Sequence, residues 1–217
     1  MTNVKMAQGR IQSPGEEIAN AISHGVAFLL TLAAVPLLLI TAVRHGDAAW
    51  IVGASIFAAT TLLLYLVSTI YHALPRTRAK RVFQIMDHAA IFLLIAGTYT
   101  PFTLGALRGG WGWTIFGIVW GLCLAGVMLK LLRGTRHPRL SMTLYLMMGW
   151  LALIAVQPLT SAVSTGGLLW LLAGGVAYTG GVFFFVAEQR RYSHFIWHLF
   201  TIVGTACHFM AILLFSA

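Results

Sequence analysis

The run HFIWHLFTIVGTACHFMAILLFS, residues 194–216, decides how the chain is read. It contains no Asp, Glu, Lys or Arg and is long enough for a helix to cross the hydrocarbon core of a bilayer, which takes about 20 residues. At its head stand His194 and His198. Residues four apart on a helix lie one above the other on one face, so both imidazoles can reach a single atom held between helices. Paired histidines at this spacing point to a metal ion.

The whole chain shares that apolar character. Of its 217 residues, 59% are hydrophobic and only 9% charged, against roughly 25% charged in soluble globular domains. The composition therefore specifies an integral membrane protein. Working back from the last run, six others of similar length complete a set at about 17–43, 48–74, 83–107, 111–132, 139–157, 167–187 and 194–216. The breaks carry turn chemistry: His45-Gly46-Asp47, Leu74-Pro75-Arg76, Arg108-Gly109-Gly110, Gly134 to Pro138, Pro158 to Gly167, and Glu188 to Ser193. Short loops force antiparallel neighbours, so the expected fold is all-α: one seven-transmembrane-helix bundle. Residues 1–16 read as a cytoplasmic tail and 17–217 as a single transmembrane domain. The first run is too long for a signal-peptide core and lacks a cleavage site, so it is expected to stay as a span. Cys123 and Cys207 both fall in apolar runs and read as buried thiols.

The formal charge of +9 does not indicate a nucleic-acid partner, because the bases fall in the breaks and act as topology signals. With the amino terminus inside, the cytoplasmic side carries Lys5, Arg10, Arg76, Arg78, Lys80, Arg81, Lys130, Arg133, Arg136, Arg139, Arg190 and Arg191, and the outer side only Arg44 and Arg108. That asymmetry predicts amino terminus in and carboxyl terminus out.

On this map His72 lies near the inner end of span 2, Asp87 about one turn into span 3, and His194 and His198 at the inner start of span 7. Ser68 sits one turn deeper than His72 on the same face. Three neutral imidazoles with one open position make a catalytic type of zinc site, although imidazole also suits iron, copper and nickel. Asp87 is the one acidic residue clearly inside a span, and an ionisable group there has a task or a partner. It is read as orienting an imidazole or water, since ligating histidines hand their second nitrogen to a carboxylate or carbonyl. Glu17, Asn20 and His24 repeat at helical spacing and would line the inner mouth. His88, next to Asp87, points about 100° away, and His208 reads as a core hydrogen bonder.

These residues together resemble the haemolysin III family of bacterial membrane proteins, relatives of the progestin and adipoQ (adiponectin) receptors. The resemblance rests on Ser68-x-x-x-His72, Asp87-His88 leading into Ala96-Gly97-Thr98-Tyr99-Thr100-Pro101-Phe102, and His194-x-x-x-His198 followed by Gly204 and His208-Phe209. Glu17-x-x-Asn20-x-x-x-His24-Gly25 matches too, and the likeness spans nearly the whole chain. It implies a seven-helix fold with a cytoplasmic amino terminus, zinc held by His72, His194 and His198, and Ser68 and Asp87 beside the water that completes the coordination. The wider superfamily includes alkaline ceramidases, and the adiponectin receptors are associated with ceramide hydrolysis. The chain lacks the long amino-terminal domain of the animal receptors, which argues against receptor signalling.

The expected function is that of a zinc-dependent hydrolase of lipid amides or esters, ceramidase-like and linked to membrane lipid homeostasis, in a bacterial inner membrane with the metal site near the cytoplasmic face. Asp87 would be general base or water orienter, Ser68 a hydrogen-bond donor, and membrane lipids the surroundings and substrate. Rival readings are a non-enzymatic homeostasis protein with structural zinc and a pore-forming haemolysin acting in cytolysis. Only Asp87 offers a charge within the spans, which weighs against a pore or transporter. A His-Glu-x-x-His protease motif is absent, span 7 contains no lysine for retinal, and three good ligands are too few for a membrane di-iron enzyme.

Overall fold

The structure is a computed structural model that describes residues 10–187 and 189–214. Lys5, Glu188, residues 215–216 of the expected last span and most of the expected tail lie outside the described residues. Seven helical segments are long and apolar enough to cross a membrane, and no strand occurs among the described residues. They comprise α1 (Pro14–His45), α2 (Ala48–Ala73), α3 (Arg78–Pro101) with a π turn over Phe102–Ala106, α4 (Gly109–Arg133), a fifth span made of α5 (Pro138–Gly149), a 3-10 stretch (Leu151–Ala155) and α6 (Val156–Ala162), then α7 (Thr165–Val186) and α8 (Ser193–Leu214).

Capping explains where the helices begin. Ser13 and Glu16 form a reciprocal capping box with Pro14 at the first helical position, so α1 starts three residues before the apolar run does. Thr77 Oγ1 accepts from Lys80 N at 3.4 Å; with its donors satisfied, α3 takes up the basic Arg78, Lys80 and Arg81 rather than starting at the apolar run near residue 83. Asp47 caps α2 by accepting from Trp50 N at 2.9 Å and pairs with Arg108 across the far end of the bundle. The Trp50 amide, aided by Arg108, holds the Asp47 carboxyl below its usual pKa.

Two prolines shape the spans differently from the sequence expectation. Pro101 removes the amide donor that a regular helix would use there, and the chain passes into the π turn immediately after it. Pro158, expected to open a loop, lies instead in the first turn of α6, where no intrahelical donor is required. The real interruption of the fifth span is at Trp150, the C-cap of α5.

Packing runs α7 on α8, α8 on α1, α1 on α2, α2 on α3, and α3 on α4, with the fifth span against α3 and α4. One apolar cluster joins the first three helices to α8 through Leu38, Phe57, Tyr65 and Ile212; a second joins the α3–α5 region through Phe92, Ile115, Val119, Tyr145 and Met148. Cys123 and Cys207 are free and buried, as expected. Between the fifth span and α7 the bundle is open inside. Trp150 Nε1 donates to Thr179 Oγ1 at 3.0 Å across that gap, and a cavity of about 250 Å³ runs down to the histidines of α8.

Candidate metal centre

His72 lies in the last turn of α2 and His194 and His198 in the first turns of α8. The antiparallel bundle brings these helix ends together. Ring centroids are 5.2 Å apart for His72 and His194, 5.0 Å for His72 and His198, and 4.7 Å for His194 and His198. One nitrogen from each ring lies within 4.8 Å of the others. Nitrogens sharing one zinc at about 2.1 Å stand at most about 4.2 Å apart, so small side-chain rotations would close the set.

The hydrogen bonds around these rings leave converging nitrogens free. Glu17 Oε2 is 2.8 Å from His72 Nδ1, while Asn20 Nδ2 is a weaker neighbour at 3.5 Å. A carboxylate only accepts, so Nδ1 carries the proton and Nε2 a lone pair; that Nε2 is buried without a partner. His198 repeats the logic. Ser23 Oγ gives its one hydrogen to Asn20 O at 2.9 Å, so at 3.2 Å it accepts from His198 Nδ1. His194 has neither nitrogen bonded. Buried polar atoms without partners are costly, and three imidazoles that converge with unfilled lone pairs fit an imidazole-preferring metal ion.

A carboxylate does meet one imidazole of the triad, and it is that of Glu17 on α1. Its other oxygen is 3.1 Å from Lys80 Nζ, which also donates to the carbonyls of Tyr71 and Leu74 at the end of α2. Asp87 is buried beside Ser68, within electrostatic reach of His72. Ser68 Oγ is buried and makes no well-formed hydrogen bond, its near polar neighbour being that carboxyl. Both line the cavity with His24, His88, His194 and His198. The structure thus gathers all five residues singled out in the sequence at one end of the bundle.

Three residues acquire places that the sequence did not give them. His24 stacks on His198 with centroids 3.6 Å apart and planes 6° from parallel, fixing that ring from α1. Ser23 sets the His198 tautomer. Lys130, counted among the topology bases, is only 1% exposed and sits inside the bundle. The helical repeat Glu17, Asn20, His24 was the available signal for the first helix; for Lys130 there was none. His208, expected to be a core hydrogen bonder, faces the Leu171 backbone, stacks on Tyr178 and lines the cavity, with its Nδ1 unpartnered.

The amino-terminal segment laces the same end shut. Glu16, paired with Arg10, accepts from Tyr192 N at 2.8 Å, which holds Tyr192 in its left-handed conformation (φ 58°) ahead of α8. Gln12 Oε1 accepts from Asn20 Nδ2 at 2.6 Å, and Gln12 O from Arg76 at 3.0 Å.

Comparison with known proteins agrees with this architecture. Residues 13–209 match the sequence model of the family described as Haemolysin-III related. Hemolysin-3 of Bacillus cereus is 42% identical over 200 residues, 92% of this chain and 91% of the relative. A Hemolysin-3 homolog of Bacillus subtilis is 44% identical, over 92% and 94%. The human monocyte to macrophage differentiation factor, a distant relative in the adipoQ receptor group, is 30% identical over 91% of this chain and 83% of its own. No solved structure matches the chain. A seven-helix bundle, a converging histidine triad and similarity along nearly its whole length establish that this chain belongs to the haemolysin III family of membrane proteins.

Proposed function

We propose that the protein is a metal-dependent hydrolase of lipid amides or esters, with zinc held by His72, His194 and His198 near the cytoplasmic face of a bacterial inner membrane. The observation that carries this reading is the convergence of unpartnered imidazole nitrogens at the foot of an apolar cavity that also holds Asp87 and Ser68. Basic residues crowd the ends of α2, α4 and α7 that share this side of the bundle, which supports the cytoplasmic placement.

A metal ion held there would supply Lewis acidity and bring a water's pKa near neutrality. The apolar walls take the acyl chain and exclude bulk water. Asp87 removes a proton from the attacking water as its oxygen bonds to the carbonyl carbon, and Ser68 donates to the oxygen on which charge develops. Asp87 then returns the proton to the leaving nitrogen or oxygen as the carbon–nitrogen or carbon–oxygen bond breaks, giving a fatty acid and an amine or alcohol. Glu17, Ser23 and His24 hold the imidazoles in tautomer and orientation.

A structural-metal reading has its own support. The ligands come from α2 and α8, which have little direct backbone packing with each other, each lying instead against α1. A shared ion would tie them.

Element-resolved metal analysis of detergent-purified protein tests both readings. About one zinc per chain is expected, lost in His72→Ala, His194→Ala and His198→Ala. Asp87→Asn is expected to keep the metal and lose turnover of long-chain ceramides or acyl ethanolamides. Wild type that binds zinc, hydrolyses no acyl lipid and loses thermal stability on chelation supports the structural clamp. Wild type without metal overturns both.

A further inference from the structure

Lys130 is among the largest fully buried side chains of the protein, although it lies on a membrane-spanning helix. A lysine near a span end ordinarily extends its ammonium to the interface. This one turns inward, and its Nζ is 3.5 Å from Nδ1 of His88. No carboxylate among the described residues forms an ion pair with it. An ammonium has three donors and no acceptor, so the Nδ1 that faces it offers a lone pair, and a neutral His88 carries its hydrogen on Nε2. This tautomer is opposite to the one fixed at His72 and His198 by their Glu17 and Ser23 partners. The difference has a chemical meaning: an Nε2 lone pair serves a cation, whereas an Nε2 hydrogen serves an acceptor.

The surroundings show which acceptor. Tyr145 donates to the His88 carbonyl at 2.7 Å, pinning that turn of α3 to α5. The His88 ring meets Phe185 at 6.4 Å between centroids, and Phe185 meets His194 at 5.9 Å, so one phenyl ring separates His88 from the histidine triad. His88 lines the same cavity as Ser68, Asp87 and His198. Its Nε2 has no hydrogen-bond partner among the described residues. A donor that opens on an apolar cavity one ring away from the triad suits the carbonyl oxygen of an acyl chain lying there.

We infer that His88 donates its Nε2 hydrogen to the carbonyl of an acyl lipid in the cavity, and that Lys130 is the positioning residue that fixes the imidazole in this form. For the identity of its ligand the inference rests on the lipid reading above. It adds a polar contact on the cavity wall and explains a buried cation.

Nitrogen NMR of histidine-labelled full-length protein in nanodiscs tests it, with the His88 signals assigned by their loss in His88→Asn. The probes are oleyl methyl ketone, which presents a carbonyl and cannot be hydrolysed, and an alkene of the same length without the carbonyl. Wild type is expected to show His88 protonated at Nε2, with that signal moved by the ketone and not by the alkene. Lys130→Met is expected to mix the tautomers and reduce the preference for ketone over alkene about fivefold, the value of one neutral hydrogen bond; Lys130→Arg should retain both. Protonation at Nδ1 in the wild type overturns the proposal whether or not Lys130→Met folds. Equal binding of ketone and alkene, or binding of neither, overturns the donor role even if ceramides are hydrolysed. A preference for the ketone in a protein that hydrolyses no acyl lipid upholds the donor role and overturns the hydrolase.

Discussion

At the level of single residues, the candidate metal centre depends on which imidazole nitrogen holds the proton, and for His72 and His198 that is set by neighbours on α1. Glu17 controls His72 from 2.8 Å, and Ser23 controls His198 from 3.2 Å. Partners of this kind commonly affect metal affinity by about 10–100-fold. Glu17→Ala is therefore expected to weaken zinc binding within that range, measured by competition with a chelator of known affinity. Glu17→Gln, whose amide oxygen still accepts from Nδ1, should lose less. Equal affinity in all three proteins would remove Glu17 from the site. The pattern Glu17, Asn20, His24 was visible in the sequence as a helical face, but the assignment of its carboxylate to His72 was not. Fifty-five positions separate the two residues, and spacing along a chain gives no distance between helices.

Among the helices, α2 and α3 approach closely where a glycine allows it. A Cβ on Gly53 would stand 2.5 Å from Pro101 Cα and 2.8 Å from Pro101 N. Both are backbone atoms and cannot turn aside. Gly53→Ala is expected to destabilise the bundle by about 1–3 kcal/mol, as overpacking does, and to lower the unfolding midpoint in detergent. Gly117→Ala on α4, where nothing lies within 4 Å, should be neutral or slightly stabilising because alanine favours helix. A Gly53→Ala protein as stable as wild type would show that the two helices do not depend on this contact. Helix positions were legible because each span is a long apolar run. Helix starts were less so, since caps at Ser13 and Thr77 extend α1 and α3 into polar sequence. The break at Trp150 and the passage through Pro158 were not legible, because both depend on what the fifth span packs against.

For the molecule as a whole, the loops joining α2 to α3, the fourth span to the fifth, and α7 to α8 share one end with the start of α1 and the three clustered histidines. In the proposed orientation that end faces the cytoplasm. In a cysteine-free background, a membrane-impermeant maleimide is expected to label Gly110→Cys in intact cells and Thr77→Cys only after permeabilisation. The reverse pattern would turn the bundle over and put the site outside. The sequence by itself determined the class of protein, the number of spans and the three metal-ligand candidates, because hydropathy over about 20 residues and the four-residue helical repeat are local quantities. Only the tertiary structure decided that Glu17 meets the imidazole of His72, that Ser23 and His24 brace His198, and that Lys130 turns inward to His88. Each is a contact between helices far apart in the chain, and the facing side of a helix is chosen by its neighbours in the bundle.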